Sequence, residues 1–371
     1  MDQVLKEKTI GKPRILLAPL DWGLGHATRC IPIIRQLQQQ GCEVLVAAEG
    51  RQAILLQQEF PELMILPLKG YHIKYAGSAI GLFLSVFFQV PKILRSIRCE
   101  HAWLLSIVNE YDIDAVISDN RYGLYHKKIP CIFITHQLTI RNPLGRWAEN
   151  ILQKRNYKFI NRFTACWVPD EEAEKNLAGE LSHPVKKPAV PVHYIGPLSR
   201  LVKSNVQEEK GHLLICLSGP EPQRTLLENK MIKEIAHYNG TATVIRGLPG
   251  TASVIPSSNM IRFYNHLPAH ELSDEMMKAE YVIGRSGYSS IMDLLTLQKK
   301  SILIPTPGQT EQEYLAAYLS KRKIVFSVQQ KGFSLRTALE KARQFHYQLT
   351  PENNNETLKQ VIAAFVAGLS Q

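Results

Sequence analysis

Short apolar runs alternate with longer segments of helical periodicity, and this rhythm occurs twice along the chain. The runs are apolar throughout rather than at every second residue, which indicates parallel sheets covered by helices on both faces. The sequence therefore predicts an α/β fold of two doubly wound, Rossmann-like domains that face each other across a cleft. The predicted strands are 15–19, 43–48, 64–67, 115–118, 131–135 and 165–168 in the first half, and 212–217, 242–246, 260–264, 281–283, 301–304 and 324–328 in the second.

The segment 182–210 separates the two halves and is rich in proline, lysine and serine. This composition is typical of a connection, and we place the linker at about 197–211. The prediction is an N-terminal acceptor domain over 1–198 and a C-terminal donor domain over 199–371, whose last helix is a candidate to return to the first domain. Ligands bind at the carboxyl ends of strands in such sheets, so we expect the site in the cleft between the domains.

A net charge of +11 favours an anionic partner. Two basic segments lie in the first half, at 92–98 and 141–162. The first follows the apolar stretch 79–90, which is shorter than the roughly 20 residues that span a bilayer and which we expect Pro91 to end. This stretch predicts a buried or amphipathic helix, with peripheral contact to an anionic membrane as the alternative. The chain has no recognised nucleic-acid module, so we do not expect nucleic acid as a partner.

The six cysteines are scattered, without a C-x-x-C pair or the Cys/His spacing that zinc requires. Residues 1–13 include charges and have no apolar core of the kind found in secretory signals. We therefore expect a cytoplasmic protein without a metal, for which the inner face of the cell membrane is the alternative location.

A loop with Gly23, Gly25 and His26 lies between the first predicted strand and the helix that follows it. Glycine lets the backbone approach a ligand, and the helix N-terminus offers amide donors to a polar sugar or an anion. The spacing differs from the G-x-G-x-x-G of dinucleotide sites, so no dinucleotide cofactor is expected. His26 lies where a neutral imidazole could accept the proton of an attacking hydroxyl, which makes it the candidate general base.

Polar side chains also follow the fourth and fifth predicted strands. Asp119 is the candidate partner that orients His26, since both are expected at the same edge of the sheet. Asn120 and His136 end on that edge too, and together with the two loop glycines they are candidates to bind the acceptor. Aspartate and asparagine are also frequent in ordinary turns, so a purely structural role stays open for both.

Two loops of the second half place hydroxyl, amide and acidic groups directly after predicted strands. Backbone amides and hydroxyls in 284–293 can hold phosphate oxygens, Asp293 can accept from ribose hydroxyls, and 305–314 suits sugar hydroxyls. Arginines 246 and 285 are the candidate cations for the leaving group. The predicted donor site consists of Ser218, Gly219, Arg246, His266, Leu267, Arg285, Ser286, Gly287, Tyr288, Ser289, Ser290, Asp293, Gln309, Glu311 and Gln312.

These loops resemble those of the MurG-type N-acetylglucosaminyltransferases and their diacylglycerol-sugar and lipopolysaccharide relatives, and the likeness spans most of the chain. It is concentrated in 23–26, 285–293 and 305–314. The resemblance implies a GT-B glycosyltransferase whose second domain binds a UDP-sugar of N-acetylglucosamine or another hexose. It places Asp293, where the family usually has glutamate, on the ribose, and Gln312 on the sugar.

The favoured mechanism is a direct displacement in which His26 deprotonates an acceptor hydroxyl and the anomeric configuration is inverted. It requires no metal and no cofactor, and a lipid-linked or cell-envelope glycan is a candidate acceptor. The segment 23–29 also looks like that of PseG-type UDP-sugar hydrolases, which use water in place of an acceptor. A hydrolase is thus the first alternative, and a non-catalytic protein that binds anionic ligands is the second.

Overall fold

The computed structural model describes residues 11–71, 79–142, 144–172, 175–253, 255–349 and 355–369, with the backbone alone for 79–88. Within these residues the chain forms two sheets in which every strand pairing is parallel. Helices lie between most consecutive strands. The predicted α/β class with two Rossmann-like sheets is confirmed.

The first sheet has seven strands in the order β3-β2-β1-β4-β5-β6-β7. Six of them match the predicted runs closely. The seventh, an edge strand of three residues, was not predicted because it lies in a segment whose prolines and lysines are typical of a connection. The strands are β1 (Arg14–Pro19), β2 (Glu43–Ala48), β3 (Met64–Pro67), β4 (Ala115–Asp119), β5 (Cys131–Ile134), β6 (Ala165–Val168) and β7 (Val192–Tyr194).

The second sheet has six strands in the order β10-β9-β8-β11-β12-β13. Its first strand begins at Glu209, so the end of the predicted linker at 197–211 is wrong: residues 209–211 already belong to this strand, in which Glu209 pairs with Ala279. The strands are β8 (Glu209–Cys216), β9 (Thr241–Ile245), β10 (Ile261–Tyr264), β11 (Ala279–Gly284), β12 (Ser301–Leu303) and β13 (Phe326–Ser327).

The helices bury one apolar face each against these sheets or against one another. The first of them follows the helical period closely, since Ala27, Ile31 and Ile34 are all fully buried. The helices are α1 (Leu24–Gln39), α2 (Gly50–Glu59), α3 (Ala79–Glu110), α4 (Arg146–Ile160), α5 (Gln223–Ile235), α6 (Ala269–Lys278), α7 (Tyr288–Thr296), α8 (Thr310–Lys321), α9 (Leu335–Gln344) and α10 (Glu356–Leu369).

The first helix, α1, is one of the elements through which the two halves meet. It contacts α7 of the second half and also α10 at the C-terminal end of the chain. Phe365 of α10 packs edge-on against Trp167 of β6, with ring centroids 5.4 Å apart. The last helix therefore lies against the helical layer and a strand of the first sheet.

The expectation that Pro91 ends a helix is wrong. The apolar stretch 79–90 is the first part of α3, which continues through Pro91 to Glu110. A proline removes one backbone hydrogen bond, and the bonds of the turns on either side can keep a long helix continuous. The side chains of 79–88, on which membrane contact would depend, lie outside the described residues.

Candidate active site

His26 and Asp119 meet at the carboxyl end of the first sheet, as the sequence suggested. Gly23, with φ of 97°, ends the loop after β1, and a residue with a side chain would be strained there. The next turn of the chain places His26 in the first turn of α1, where its Nδ1 lies 2.9 Å from Oδ2 of Asp119, the last residue of β4. The side chain of His26 keeps 16% exposure, whereas that of Asp119 is fully buried.

Arg29 completes this cluster and was not predicted as a site residue. It lies three residues after His26 on α1, so both side chains share one face of the helix. Its Nε donates to Oδ2 of Asp119 over 2.8 Å, and its Nη2 contacts the other carboxylate oxygen. Only 2% of the Arg29 side chain is exposed. The spacing of three residues was the available signal, but it did not reveal that Arg29 would turn inward.

The electrostatics of the cluster leave His26 neutral and Asp119 ionised. Burial and the nearby Arg29 lower the pKa of His26, and the opposing effect of Asp119 does not outweigh them. Burial alone would raise the pKa of Asp119, but Arg29 and His26 together hold it at about 2. Nδ1 of His26 lies 2.9 Å from Oδ2 of Asp119 and 2.7 Å from Nη2 of Arg29. In the tautomer whose Nδ1–H donates to Asp119, Nε2 retains the lone pair that a general base requires.

His136 joins this cluster to the second half of the molecule. Its Nδ1 lies 3.3 Å from Nη1 of Arg29, and its Nε2 lies 2.8 Å from Oε1 of Glu311 in α8. The ring of Tyr288 stacks on His136 with centroids 4.2 Å apart and planes 10° apart. The structure thus brings His136, Tyr288 and Glu311 together, although the sequence had assigned them to opposite substrates.

The two predicted loops also touch directly. Oγ of Ser289, in the first turn of α7, donates to the carbonyl of Gly25 over 2.9 Å. A Cβ on Gly25 would lie 2.9 Å from Oγ of Ser289, so a side chain at this position would displace the hydroxyl that makes the contact. The segment that precedes His26 therefore lies against the loop predicted to hold the donor phosphates.

Predicted donor residues gather where β8, β11 and β12 end, which are neighbouring strands of the second sheet. Gly219 has φ of 104°, and a Cβ there would lie 3.9 Å from Oγ1 of Thr306. Within the described residues, three buried polar atoms of these loops have no hydrogen-bond partner: Nε of Arg285, Oγ1 of Thr306 and Oε1 of Gln309. Buried polar groups are normally paired, so unpaired ones concentrated at strand ends are typical of a ligand site.

Arg285 and Gln312 hold the framework of these loops. The guanidinium of Arg285 donates to the carbonyls of Ile304, Pro305 and Gln223, and burial lowers its pKa to about 10. Oε1 of Gln312 accepts from the backbone of Thr306 over 2.9 Å. These contacts fix the loops that follow β11 and β12. The role of Arg285 at the leaving group and that of Gln312 at the sugar stay predictions.

Asp293 lies in α7 beside the segment that joins the two sheets. Its Oδ1 accepts from Oγ of Ser199 over 2.6 Å. Burial raises the pKa of Asp293 to about 6, although Ser199 and Arg200 act in the opposite direction. A carboxylate with a raised pKa at a domain junction is typical of functional sites.

The remaining predicted residues surround this region. Arg246 is engaged with Glu228 and Asn265, and burial lowers the pKa of His266 to about 4. Leu267 is buried. Ser218, Gly287 and Ser290 are partly exposed. Oγ of Ser286 donates to the carbonyl of Gln312 over 2.8 Å, and Asn120 adopts φ of 57° directly after β4.

Two properties of the described residues concern metals and membranes. Among the residues that the structure describes, no group of three or more His, Cys, Asp or Glu side chains is arranged to hold a metal ion. None of the described helices combines the length and apolar character needed to cross a membrane.

Comparison with known proteins extends this picture. Residues 14–345 match glycosyl transferase family 1. A protein of Methanosarcina acetivorans named an uncharacterized glycosyltransferase is 24% identical over 367 residues, covering 92% of this chain and 87% of the relative. The UDP-N-acetylglucosamine–N-acetylmuramyl-(pentapeptide) pyrophosphoryl-undecaprenol N-acetylglucosamine transferase of Glaesserella parasuis is 25% identical over 332 residues, covering 85% of this chain and 86% of the relative.

Solved structures agree in fold. The glycotransferase of kitacinnamycin superposes with a TM-score of 0.62 at 14% identity, covering 97% of this chain and 94% of that one. MurG of Acinetobacter baumannii superposes with a TM-score of 0.52 at 14% identity, covering 96% and 99%. With its two parallel sheets, the paired His26 and Asp119, and a family match that spans both halves, the chain belongs to glycosyl transferase family 1 and is a MurG-like GT-B glycosyltransferase.

Proposed function

We propose that this glycosyltransferase is inverting and metal-independent, and that it moves N-acetylglucosamine or another hexose from a UDP-sugar to the hydroxyl of a lipid-linked acceptor. The observation on which this rests is the contact between the His26 loop and the α7 loop through Ser289 and Gly25. That contact sets a neutral, partly exposed imidazole beside strand ends with unpaired buried polar atoms. The activity named for the Glaesserella relative supports the donor and the acceptor class.

In the proposed reaction, Nε2 of His26 takes the proton of the acceptor hydroxyl as its oxygen bonds to the anomeric carbon. The bond from that carbon to the UDP oxygen breaks on the opposite face, and UDP leaves with the electron pair. Asp119 stabilises the imidazolium that forms. Backbone amides and hydroxyls at the start of α7 accommodate the charge on the diphosphate.

Thermal unfolding in the presence of nucleotides tests the donor class. We expect UDP and at least one UDP-hexose to raise the Tm, because a ligand at about 100 times its Kd adds roughly 2.7 kcal/mol to the free energy of unfolding. ADP and CMP at equal concentrations are the controls for unspecific anion binding. The absence of a shift with every UDP compound would contradict a UDP-sugar donor.

Asp293→Asn separates a donor-binding role from a structural one. Since burial raises the pKa of Asp293 to about 6, its ionisation costs stability above the unfolded pKa of about 3.9, and this cost grows until about pH 6. The amide keeps the acceptor for Ser199 without the charge. We expect a gain of about 1–3 kcal/mol in the free energy of unfolding at pH 7.5 and none near pH 4, because one pKa unit corresponds to about 1.4 kcal/mol.

The same variant is expected to weaken UDP binding about 10-fold or more, because hydrogen bonds to a charged acceptor contribute about 1.5–3 kcal/mol. Calorimetric titration with UDP measures this, and Asp274→Asn in α6, whose carboxylate is 33% exposed beside His270, is the matched control. A stabilised variant that binds UDP like the wild type would remove Asp293 from the donor site.

A further inference from the structure

A continuous series of buried and half-buried side chains connects α8 to the proposed base. We call it the Glu311 chain, and it runs over five residues from both halves of the molecule. Its four contacts measure 2.8 Å, 3.3 Å, 2.8 Å and 2.9 Å in order. In that order its members are Glu311, His136, Arg29, Asp119 and His26.

The donor and acceptor roles along the Glu311 chain follow from the chemistry of its members. Arginine is always protonated and only donates, so Nδ1 of His136 accepts from Arg29 and its Nε2–H donates to Glu311. The second carboxylate oxygen of Glu311 contacts the side-chain amide of Gln137. Both oxygens are thus directed at the first half of the molecule.

The imidazole ring of His136 is fixed in its orientation by its neighbours. Its ring stacks on that of Tyr288, whose hydroxyl donates to the carbonyl of Pro169 over 2.7 Å. Both His136 and Tyr288 are buried, with 4% and 3% exposure. A closely packed ring with both nitrogens bonded has little freedom to reorient.

We propose that Glu311 is a positioning residue for the transfer reaction: through His136 and Arg29 it holds Asp119, and hence the imidazole of His26, in the orientation that the reaction needs. This inference rests on the proposed function, in which His26 is the base. The second domain, when docked against the first, thereby contributes Glu311 to the residues that orient His26.

The charges near His26 fit this role. Burial by itself would raise the pKa of Glu311, yet His136 and Arg29 lower it, so Glu311 is ionised. Its negative charge opposes the effect of Arg29 on His26. The titratable and charged groups that surround His26 are Asp119 of β4, Arg29 and Cys30 of α1, His136 after β5, and Glu311 of α8.

The test is a double-mutant cycle on Glu311 and His136. Turnover is measured with UDP-N-acetylglucosamine and a lipid-linked acceptor, and the affinity for UDP is measured by calorimetry. We expect Glu311→Ala and His136→Ala each to lower kcat about 10- to 100-fold, since a displacement of about 1 Å at a catalytic group can cost 100-fold. We expect the double variant to lose no more than about 3-fold beyond either single one, because residues that act in series are not additive.

Further measurements separate positioning from direct contact with substrate. The affinities for UDP and for UDP-N-acetylglucosamine are both expected to stay within about 2-fold of the wild type, because a positioning residue makes no contact with the donor. In Glu311→Gln, which keeps an acceptor for His136 but not the charge, the acidic limb of the kcat profile should move to lower pH. This variant also replaces Glu311→Ala in the cycle should the alanine variant fail to fold. Glu340→Ala, at a 54% exposed position of α9, is the control.

Multiplicative losses in the double variant would overturn the inference, as would weakened binding of UDP or of UDP-N-acetylglucosamine. The latter result would support the assignment of Glu311 to the donor site, as the sequence predicted. Failure of the proposed function itself is distinguishable, because it requires that His26→Ala retain turnover.

Discussion

Replacing His26 by alanine is expected to lower kcat by about 100- to 10,000-fold, because general base catalysis by a positioned side chain contributes about that much. The Kd for UDP is expected to remain within about 2-fold, since an interaction made only in the transition state does not affect ground-state binding. His26 contacts Asp119 and Arg29 and keeps a partly exposed ring, as a base facing an acceptor should.

Steady-state kinetics with saturating UDP-sugar and calorimetry with UDP provide the two measurements. His270→Ala is a suitable control, because that side chain is 86% exposed on α6 and pairs with Asp274 alone among the contacts described for it. Equal losses in turnover and UDP affinity would assign His26 to binding rather than to proton transfer.

The second large effect concerns stability. Asp119→Ala leaves the guanidinium of Arg29 buried without its carboxylate, and breaking a buried ion pair by removal of one partner costs about 3–5 kcal/mol. We expect urea unfolding to show a loss of this size in the free energy of unfolding. Adding Arg29→Met should restore most of it, because no uncompensated charge then remains.

Glu340→Ala is again the surface control, and it should change the free energy of unfolding by less than about 0.5 kcal/mol. If the double variant is as unstable as Asp119→Ala alone, the loss of stability does not come from leaving the buried charge of Arg29 unpaired. That result would contradict the roles given to this ion pair.

The same cluster predicts a pH dependence. The pKa of Asp119 is held at about 2, below its unfolded value of about 3.9. A depressed carboxyl pKa stabilises the folded state above the unfolded pKa, and this contribution is lost as the pH falls from about 4 to 2. In Asp119→Asn, that part of the acid sensitivity of the Tm should disappear.

The fold could be predicted from the sequence to a large extent because parallel strands buried on both faces are apolar throughout. Twelve predicted runs correspond to strands of the two sheets. The edge strand Val192–Tyr194 was missed because it is short, with only one of its three residues buried. The continuation of α3 through Pro91 was missed because tertiary context outweighs a local helix-breaking signal.

The candidate site could be predicted only where it depends on strand ends. His26 and Asp119 were paired correctly, since β1 and β4 are neighbours and the residues that follow them share an edge. The contact between His136 and Glu311 joins residues 175 positions apart, in different halves of the chain. Its existence depends on how the two halves dock, which no local pattern encodes.

The proposed function is transfer of a sugar from a UDP-sugar to a hydroxyl acceptor by a single displacement at His26. It is tested most directly by incubating the protein with UDP-N-acetylglucosamine, with and without a lipid-linked N-acetylmuramyl pentapeptide, and by recording UDP release and the anomeric configuration of the product by NMR. The account predicts that UDP is released only when the acceptor is present, and that the product carries the inverted configuration. Release of UDP and free sugar at the same rate without the acceptor as with it would contradict this prediction. A product of retained configuration would contradict it as well.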